Sequence, residues 1–494
     1  MELVVILALV LSIVFFLLLG FKYGKKNKTL SDIFPIYFGK NASVDTVEEF
    51  SSTSIATTVS LATIIMAYFE LVGYFGLFLL WTTVTTALGM ILLSKMSKRI
   101  LDRMEVYDHR PTLHEFLGTE YNNKTIAFIG ALCTSIGFLL IAALELIVGS
   151  QFLAQLIPSI NPTITAIVLS LTGIIYLSVG GFKTVVRSDV WQMKFIWLLI
   201  IAFFSYFILT IFNENNLLSR LNNIPKTIYN FSDRTGIWMF LIGIAVMNIP
   251  THLSNQAMFQ RINASQSRET VIKGLKQSIK GVFLSWALIV IIACLAYMFV
   301  PEATPNHLLT DLLKYISQTT FGKFVVFVVT IGMYSALLST ASTNLVVVGH
   351  TLSEDVFAKY KNKTLIERDN SKNEFNNSRL ILLFSGIFSV VLVEGLNNLG
   401  FDIKDLVFSI YGGALALFPP ILFSLFYDRN LLKKVSKFAI AGIVLGFFIG
   451  WGIAFYGKLS GNSNLIFLSP TFSIVTSFLL IIIGFLAIKK SNKE

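Results

Sequence analysis

Oxygen-bearing side chains are concentrated in two runs of this chain, and both lie inside otherwise apolar sequence. The first is Ser51-Ser52-Thr53-Ser54-Ile55-Ala56-Thr57-Thr58-Val59-Ser60-Leu61-Ala62-Thr63. The second is Ser335-Ala336-Leu337-Leu338-Ser339-Thr340-Ala341-Ser342-Thr343-Asn344. Hydroxyls without net charge are hard oxygen ligands, suited to a monovalent cation that must bind and leave quickly. The first run also suits a helix that breaks at the middle of a membrane, where freed carbonyls join side-chain oxygens as ligands. At about 100° per residue, Ala336, Ser339, Thr340, Ser342 and Thr343 share one broad helical face. Small hydroxyl residues also pack helices closely while bonding their own backbone, so each run taken alone is open to both readings.

Three acids are the other candidates, because an ionisable group at membrane depth is costly. Glu70 and Glu145 fall at the middle or outer part of apolar runs. Each could carry a proton, meet Lys194, or face a cationic part of a solute. Asp189 follows Gly180 to Ser188, read as a short loop, and opens an apolar run; it could cap a helix there or serve an ion. Catalysis finds little support. None of the five histidines (His109, His114, His252, His307, His350) pairs with an acid at metal-ligand spacing. Cys133 and Cys294 both lie in apolar stretches and imply no disulfide framework or metal site. There is no G-x-x-x-x-G-K-[ST] loop, so no ATP motor is expected in this chain.

The elements that must position these groups are read from length and hydropathy. Of 494 residues 54% are hydrophobic and only 14% charged, too few charges to cover a soluble surface. The run from Glu2 to Gly20 is followed by Lys22, Lys25, Lys26 and Lys28, the reverse of a cleavable signal peptide, and predicts a retained helix. Further runs able to cross about 30 Å of hydrocarbon lie near 51–73, 75–94, 125–155, 163–179, 190–212, 237–254, 280–300, 322–349, 379–395, 404–426, 438–456 and 470–488. The expectation is an all-α membrane protein of about 13 transmembrane helices. The net charge of +11 sits in short clusters between these runs, the pattern of cytoplasmic loops and not of a nucleic-acid binder. With the N-terminus outside, Arg99, Arg103, Arg110, Arg261, Lys273, Lys276, Arg429, Lys433 and Lys434 all fall inside, and the external stretch 301–320 holds only Lys314. The C-terminus is then cytoplasmic and the plasma (inner) membrane the expected location. The longest polar loop, Thr351 to Asn377, is expected to be internal.

Three segments together resemble a known family. Gly180-Gly181-Phe182-Lys183-Thr184-Val185-Val186-Arg187-Ser188-Asp189-Val190-Trp191-Gln192 resembles the Gly-Gly…Asp-x-x-Gln segment of the sodium/solute symporter family. Asn255-Gln256-Ala257-Met258-Phe259-Gln260-Arg261-Ile262-Asn263-Ala264 resembles its Asn-Gln…Gln-Arg-x-x-Ala segment, and Ser335 to Ser342 resembles its Ser-rich ion-binding helix. They occur in the family's order and at its spacing, and the likeness covers essentially the whole chain.

The resemblance implies an inverted repeat of five plus five helices: an extra helix in 1–28, the first repeat in 49–212, the second in 237–426, and extra helices and tail in 438–494. It implies sodium as the coupling ion, a small polar organic solute as cargo, the bilayer as surroundings and no organic cofactor. By position, the first sodium's ligands would be the carbonyls of Ala56, Val59 and Ala336 and the hydroxyls of Ser339 and Thr340. A second would lie near Asp189, Ser339, Ser342 and Thr343. Solute contacts would come from Ser60, Thr63, Asn248 and Thr251, with Glu70 and Glu145 as candidates that favour an amine-bearing solute. Sialic-acid-type members use an Arg in the third helix of the first repeat, whereas no Arg occurs here between Arg110 and Arg187. The Tyr and Lys of sugar-type members correspond to Thr251 and Ile289. Proton coupling on the same fold and a transporter-like sensor are the alternative readings.

Overall fold

The structure is a computed structural model and describes residues 1–25, 27–36, 44–214, 217–230, 236–358, 365–398 and 403–491. Among them every regular element is helical, apart from one isolated bridge between Val44 and Ser265. The helices that matter here are α1 (Glu2–Gly24), α2 (Val47–Thr58), α3 (Ala67–Phe75), α4 (Leu80–Met104), α5 (Leu113–Glu120), α6 (Lys124–Leu156), α7 (Pro162–Glu214) and α8 (Ile237–Ser254). They continue with α9 (Gln256–Ala264), α10 (Arg268–Ala296), α11 (Thr320–Thr351), α12 (Lys372–Asn398), α13 (Ile403–Ala414), α14 (Phe418–Phe426), α15 (Arg429–Leu459) and α16 (Ser463–Ser491).

Eleven described stretches are long and apolar enough to cross a membrane. Leu61–Met104 and Pro162–Phe212 each cover more than one of the spans expected from sequence, because the chain turns within a run of helix instead of looping out. The first such turn is at Gly76, whose φ is +54°. The second is inside α7 at Gly181, with φ 64° and ψ −168°. The expected loop from Gly180 to Ser188 is therefore helical on both sides of a single glycine, and Asp189 lies two turns into the following helix, not at its cap. Likewise, the stretch 351–377 is not one loop. A π turn (Leu352–Phe357) continues α11, and a short helix (Leu365–Asp369) precedes α12.

Gly181 has a backbone conformation that only glycine tolerates, and a Cβ there would fall 2.6 Å from the Asp32 carbonyl oxygen and 2.8 Å from Ile33 Cα. Gly181→Ala is expected to cost about 1–3 kcal/mol and lower the thermal midpoint in detergent. Gly173→Ala, on the same helix with open space at its Cβ, is the control. Equal midpoints for the two variants would refute the assignment.

α11 is the most enclosed long helix, with 78% of its apolar window buried. It packs against α1, α2, α6, α7 and α12. α2 in turn rests on α7, α10 and α11. The periphery is different: α1, α12, α15 and α16 present large apolar side chains outward, among them Leu3, Leu18, Phe384, Phe448 and Leu486. Apolar surface on that scale needs lipid around it.

Two helices are interrupted at polar residues. After α2 the backbone extends at Val59 (φ −96°, ψ 81°) and Ser60 (φ −80°, ψ 147°), then re-enters a π turn over Leu61–Met66 that runs into α3. Ser60 Oγ accepts the Thr63 amide at 2.8 Å, so the serine caps the second half. Between α8 and α9 the break falls at Asn255 (φ −91°, ψ 114°), whose Oδ1 accepts the Ala257 amide at 2.8 Å. In each case the side chain that stops one helix starts the next.

Candidate ion and solute site

The break after α2 gathers the first group of candidate ligands. Ala56, Val59, Ala336 and Ser339 have no exposed surface and Thr340 almost none. α11 lies directly against both α2 and the π turn. At the end of α2 the Ile55 carbonyl accepts the Val59 amide at 3.1 Å and Thr58 Oγ1 at 2.8 Å, whereas Ala56 receives only a 3.3 Å contact from Val59. The Ala56 carbonyl thus keeps acceptor capacity facing a buried space. On α11, Thr340 Oγ1 is buried with no hydrogen-bond partner, a costly state for a hydroxyl unless something else binds it.

Glu145 comes to the same break from α6. Its carboxylate, fully buried, accepts the Ser60 hydroxyl and the Ala62 amide, the latter at 3.3 Å. It therefore sits on the N-terminal end of the second half-helix, where backbone amides and the helix dipole favour negative charge.

Asp189 anchors a second polar centre. Its carboxylate accepts Ser339 Oγ at 2.7 Å, the Thr53 hydroxyl, and Arg261 Nη2 at 3.1 Å. The Arg261 guanidinium, also without exposed surface, donates in addition to Thr53 Oγ1 (2.9 Å), Thr343 Oγ1 (3.0 Å) and the Ala257 carbonyl (3.1 Å). Three of the four residues expected for a second sodium, Asp189, Ser339 and Thr343, thus converge, but a side-chain cation lies among them. Ser342 donates instead to the Ser339 carbonyl at 3.2 Å.

A cavity lies beside the break. Its wall includes Ser60, Thr63, Asn248 and Thr251, four of the six expected solute contacts, as well as Thr340 and Asn344. Glu70 and Glu145 are buried outside the lining set. Asn248 is held by bonds from its amide to the Thr82 carbonyl (3.3 Å) and Thr85 Oγ1 (3.1 Å) on α4. Thr251 Oγ1 returns to the Met247 carbonyl at 2.5 Å, leaving its methyl and lone pairs for the wall.

Sequence reasoning passed over Trp286 on α10 and His252 on α8, which also line this cavity. Each is a polar group inside an apolar run, and that rule would have found them. Asn344 closed the second hydroxyl run and Arg261 stood in a quoted segment, but neither was given a role. Thr134, another wall residue, bonds His114 Nε2 at 2.8 Å, and His114 Nδ1 meets Asp355 at 3.0 Å. The cavity wall is thereby tied to the π turn that ends α11.

Comparison with known proteins gives a consistent picture. The family model described as "Sodium:solute symporter family" matches residues 47–446. No curated protein sequence matches the chain. Among solved structures, a substrate-bound, outward-open Na+-coupled sialic acid symporter superposes with a TM-score of 0.76 at 18% identity, covering 98% of both chains. MhsT in complex with L-phenylalanine gives 0.52 at 16% identity, over 89% of this chain and 97% of that one. Mhp1, a nucleobase-cation-symport-1 family transporter in a closed conformation with bromovinylhydantoin bound, gives 0.54 at 10%, over 94% and 96%. At such identities the likeness speaks to the fold alone.

Proposed function

The chain belongs to the sodium:solute symporter family, and from that premise we propose how its coupling site is built. It is an integral membrane protein and a sodium-coupled symporter, not an enzyme. The coupling sodium is held by the carbonyls of Ala56, Val59 and Ala336 and the hydroxyls of Ser339 and Thr340. The solute, a small polar organic molecule, binds next to it against Ser60, Thr63, Asn248 and Thr251, with Glu145 behind Ser60 and Glu70 farther along the same half-helix. The observation that carries this reading is Thr340: its hydroxyl is buried, unpartnered and on the wall of the cavity, so one residue borders both ligands.

Sodium at this place joins α2 to α11. That link favours the state in which the solute pocket is complete, and the solute reciprocally raises affinity for sodium. One inward sodium contributes about 2.3 kcal/mol per 100 mV of membrane potential, in addition to its concentration gradient. A second sodium at Asp189, Ser339, Ser342 and Thr343 shares its seat with the Arg261 guanidinium and enters when that group withdraws.

The five-plus-five repeat, 49–212 and 237–426 flanked by 1–28 and 438–494, is supported by the two interrupted helices, which begin the two halves. The Lys/Arg asymmetry supports an outside N-terminus and a cytoplasmic C-terminus in the plasma (inner) membrane. The test is uptake into proteoliposomes. An inward sodium gradient is expected to drive accumulation, and a pH jump without sodium is not. Accumulation that follows the proton gradient alone would transfer the coupling to Glu70, Glu145 or Asp189.

A further inference from the structure

We propose that the carried solute is uncharged, no larger than a monosaccharide or nucleoside, and held by its hydrogen-bond acceptors. The inference rests on reading the cavity beside the α2 break as the solute site.

The first observation is the wall. None of the residues lining the cavity is Asp, Glu, Lys or Arg; its polar members are hydroxyls, amides and His252. A carboxylate or an ammonium brought here would lose its water without gaining an opposite charge, which costs several kcal/mol. The usual refuge for an anionic group in such folds is the N-terminal end of the second half-helix. Here that end already holds the Glu145 carboxylate, through Ser60 and the Ala62 amide. An anionic solute is therefore refused twice, by a missing cation and by a resident anion.

The second observation is what the wall lacks. Trp286 Nε1, Asn344 Nδ2 and His252 Nδ1 are on lining residues at least nine-tenths buried, and each has no hydrogen-bond partner. Trp286 and Asn344 can only donate through these atoms. His252 is fixed by its other nitrogen, 2.9 Å from Thr86 Oγ1. Buried donors are normally paired, so the ligand is expected to bring acceptors: hydroxyl, carbonyl or ring-nitrogen lone pairs. Flat aromatic side chains flank them, with Tyr68 edge-on to Trp286 at 5.8 Å.

The third is size. About 120 Å³ is open to the centres of water molecules, room for roughly ten waters and some 300 Å³ of liquid.

Purified protein in proteoliposomes is offered labelled monosaccharides, polyols and nucleobases in one arm, and sialic acid, amino acids and polyamines in the other, each with sodium or choline outside. Sodium-driven uptake is expected in the first arm alone, with net positive charge moved inward for every solute. Trp286→Phe keeps the ring against Tyr68 but loses the donor; together with Asn344→Leu it is expected to raise the half-saturating solute concentration about tenfold or more. The sodium dependence of thermal stability should be unchanged in Trp286→Phe, which also shows that the variant folds. Sodium-driven uptake confined to the charged arm would overturn the proposal and leave sodium symport standing. Absence of sodium-driven uptake in both arms would overturn the symport reading and this one with it. A Trp286→Phe variant with wild-type solute affinity would remove the indole from the site.

Discussion

Arg261→Met is expected to abolish uptake and to destabilise the protein by about 3–5 kcal/mol, because it leaves the Asp189 carboxylate buried without a cation. Both side chains have no exposed surface, and the guanidinium makes four donor contacts that a thioether cannot replace. Thr53 and Thr343 lose their partner at the same time. The double variant Arg261→Met/Asp189→Leu removes both charges and is expected to recover most of the stability, though not the transport. Thermal unfolding in detergent measures this directly. Arg261→Gln sharpens the question of the second sodium. With its internal cation gone, the cluster of Asp189, Ser339 and Thr343 becomes a seat for sodium, so added sodium should stabilise the variant more than wild type by mass action. A variant as stable as wild type would mean that the pair is not the tie described, and a sodium effect no larger than in wild type would dismiss the second seat.

Removing the two candidate hydroxyls on α11 is the other large effect expected. Ser339→Ala and Thr340→Val should each raise the sodium concentration for half-maximal uptake at least tenfold, as expected for one lost ligand in a buried site. The two variants separate causes. Ser339 also donates to Asp189 at 2.7 Å, so its loss disturbs the ion pair as well as the sodium. Thr340 Oγ1 has no partner in the protein, and its replacement by valine conserves shape. Thr340→Val should therefore change sodium affinity while leaving thermal stability without sodium near wild type. Wild-type sodium dependence in both would refute the placement of the ion.

The membrane class was legible in the sequence because apolar runs of spanning length and clustered Lys and Arg leave few alternatives. Local geometry was harder to see. Gly180 to Ser188 read as a loop because two glycines and three polar residues interrupt the apolar pattern, but one glycine suffices to turn a continuous helix, and Asp189 follows it inside the protein. The break at Val59 and Ser60 was anticipated from hydroxyl density, and the four wall residues Ser60, Thr63, Asn248 and Thr251 from family position. Glu145 was named without its partner. Nothing local links residue 145 to the amide of residue 62; only the packing of α6 against the π turn does so. For the same reason the Arg261 guanidinium could not be placed on Asp189, since each residue taken singly has a bland explanation at a membrane surface.

That pair has a consequence for how the chain is assembled during synthesis. Asp189 is made first and stands 72 residues ahead of its arginine, and Thr53 is earlier still. Thr343 emerges 82 residues after Arg261. The salt bridge can therefore close as soon as α9 has been inserted, before α11 exists. The early half of the protein acquires a neutral, hydrogen-bonded interior against which α11 later docks. A newly made chain with only one of the two charges would carry that charge unpaired through the insertion of every later helix, and would offer itself to quality control before it ever met sodium or solute.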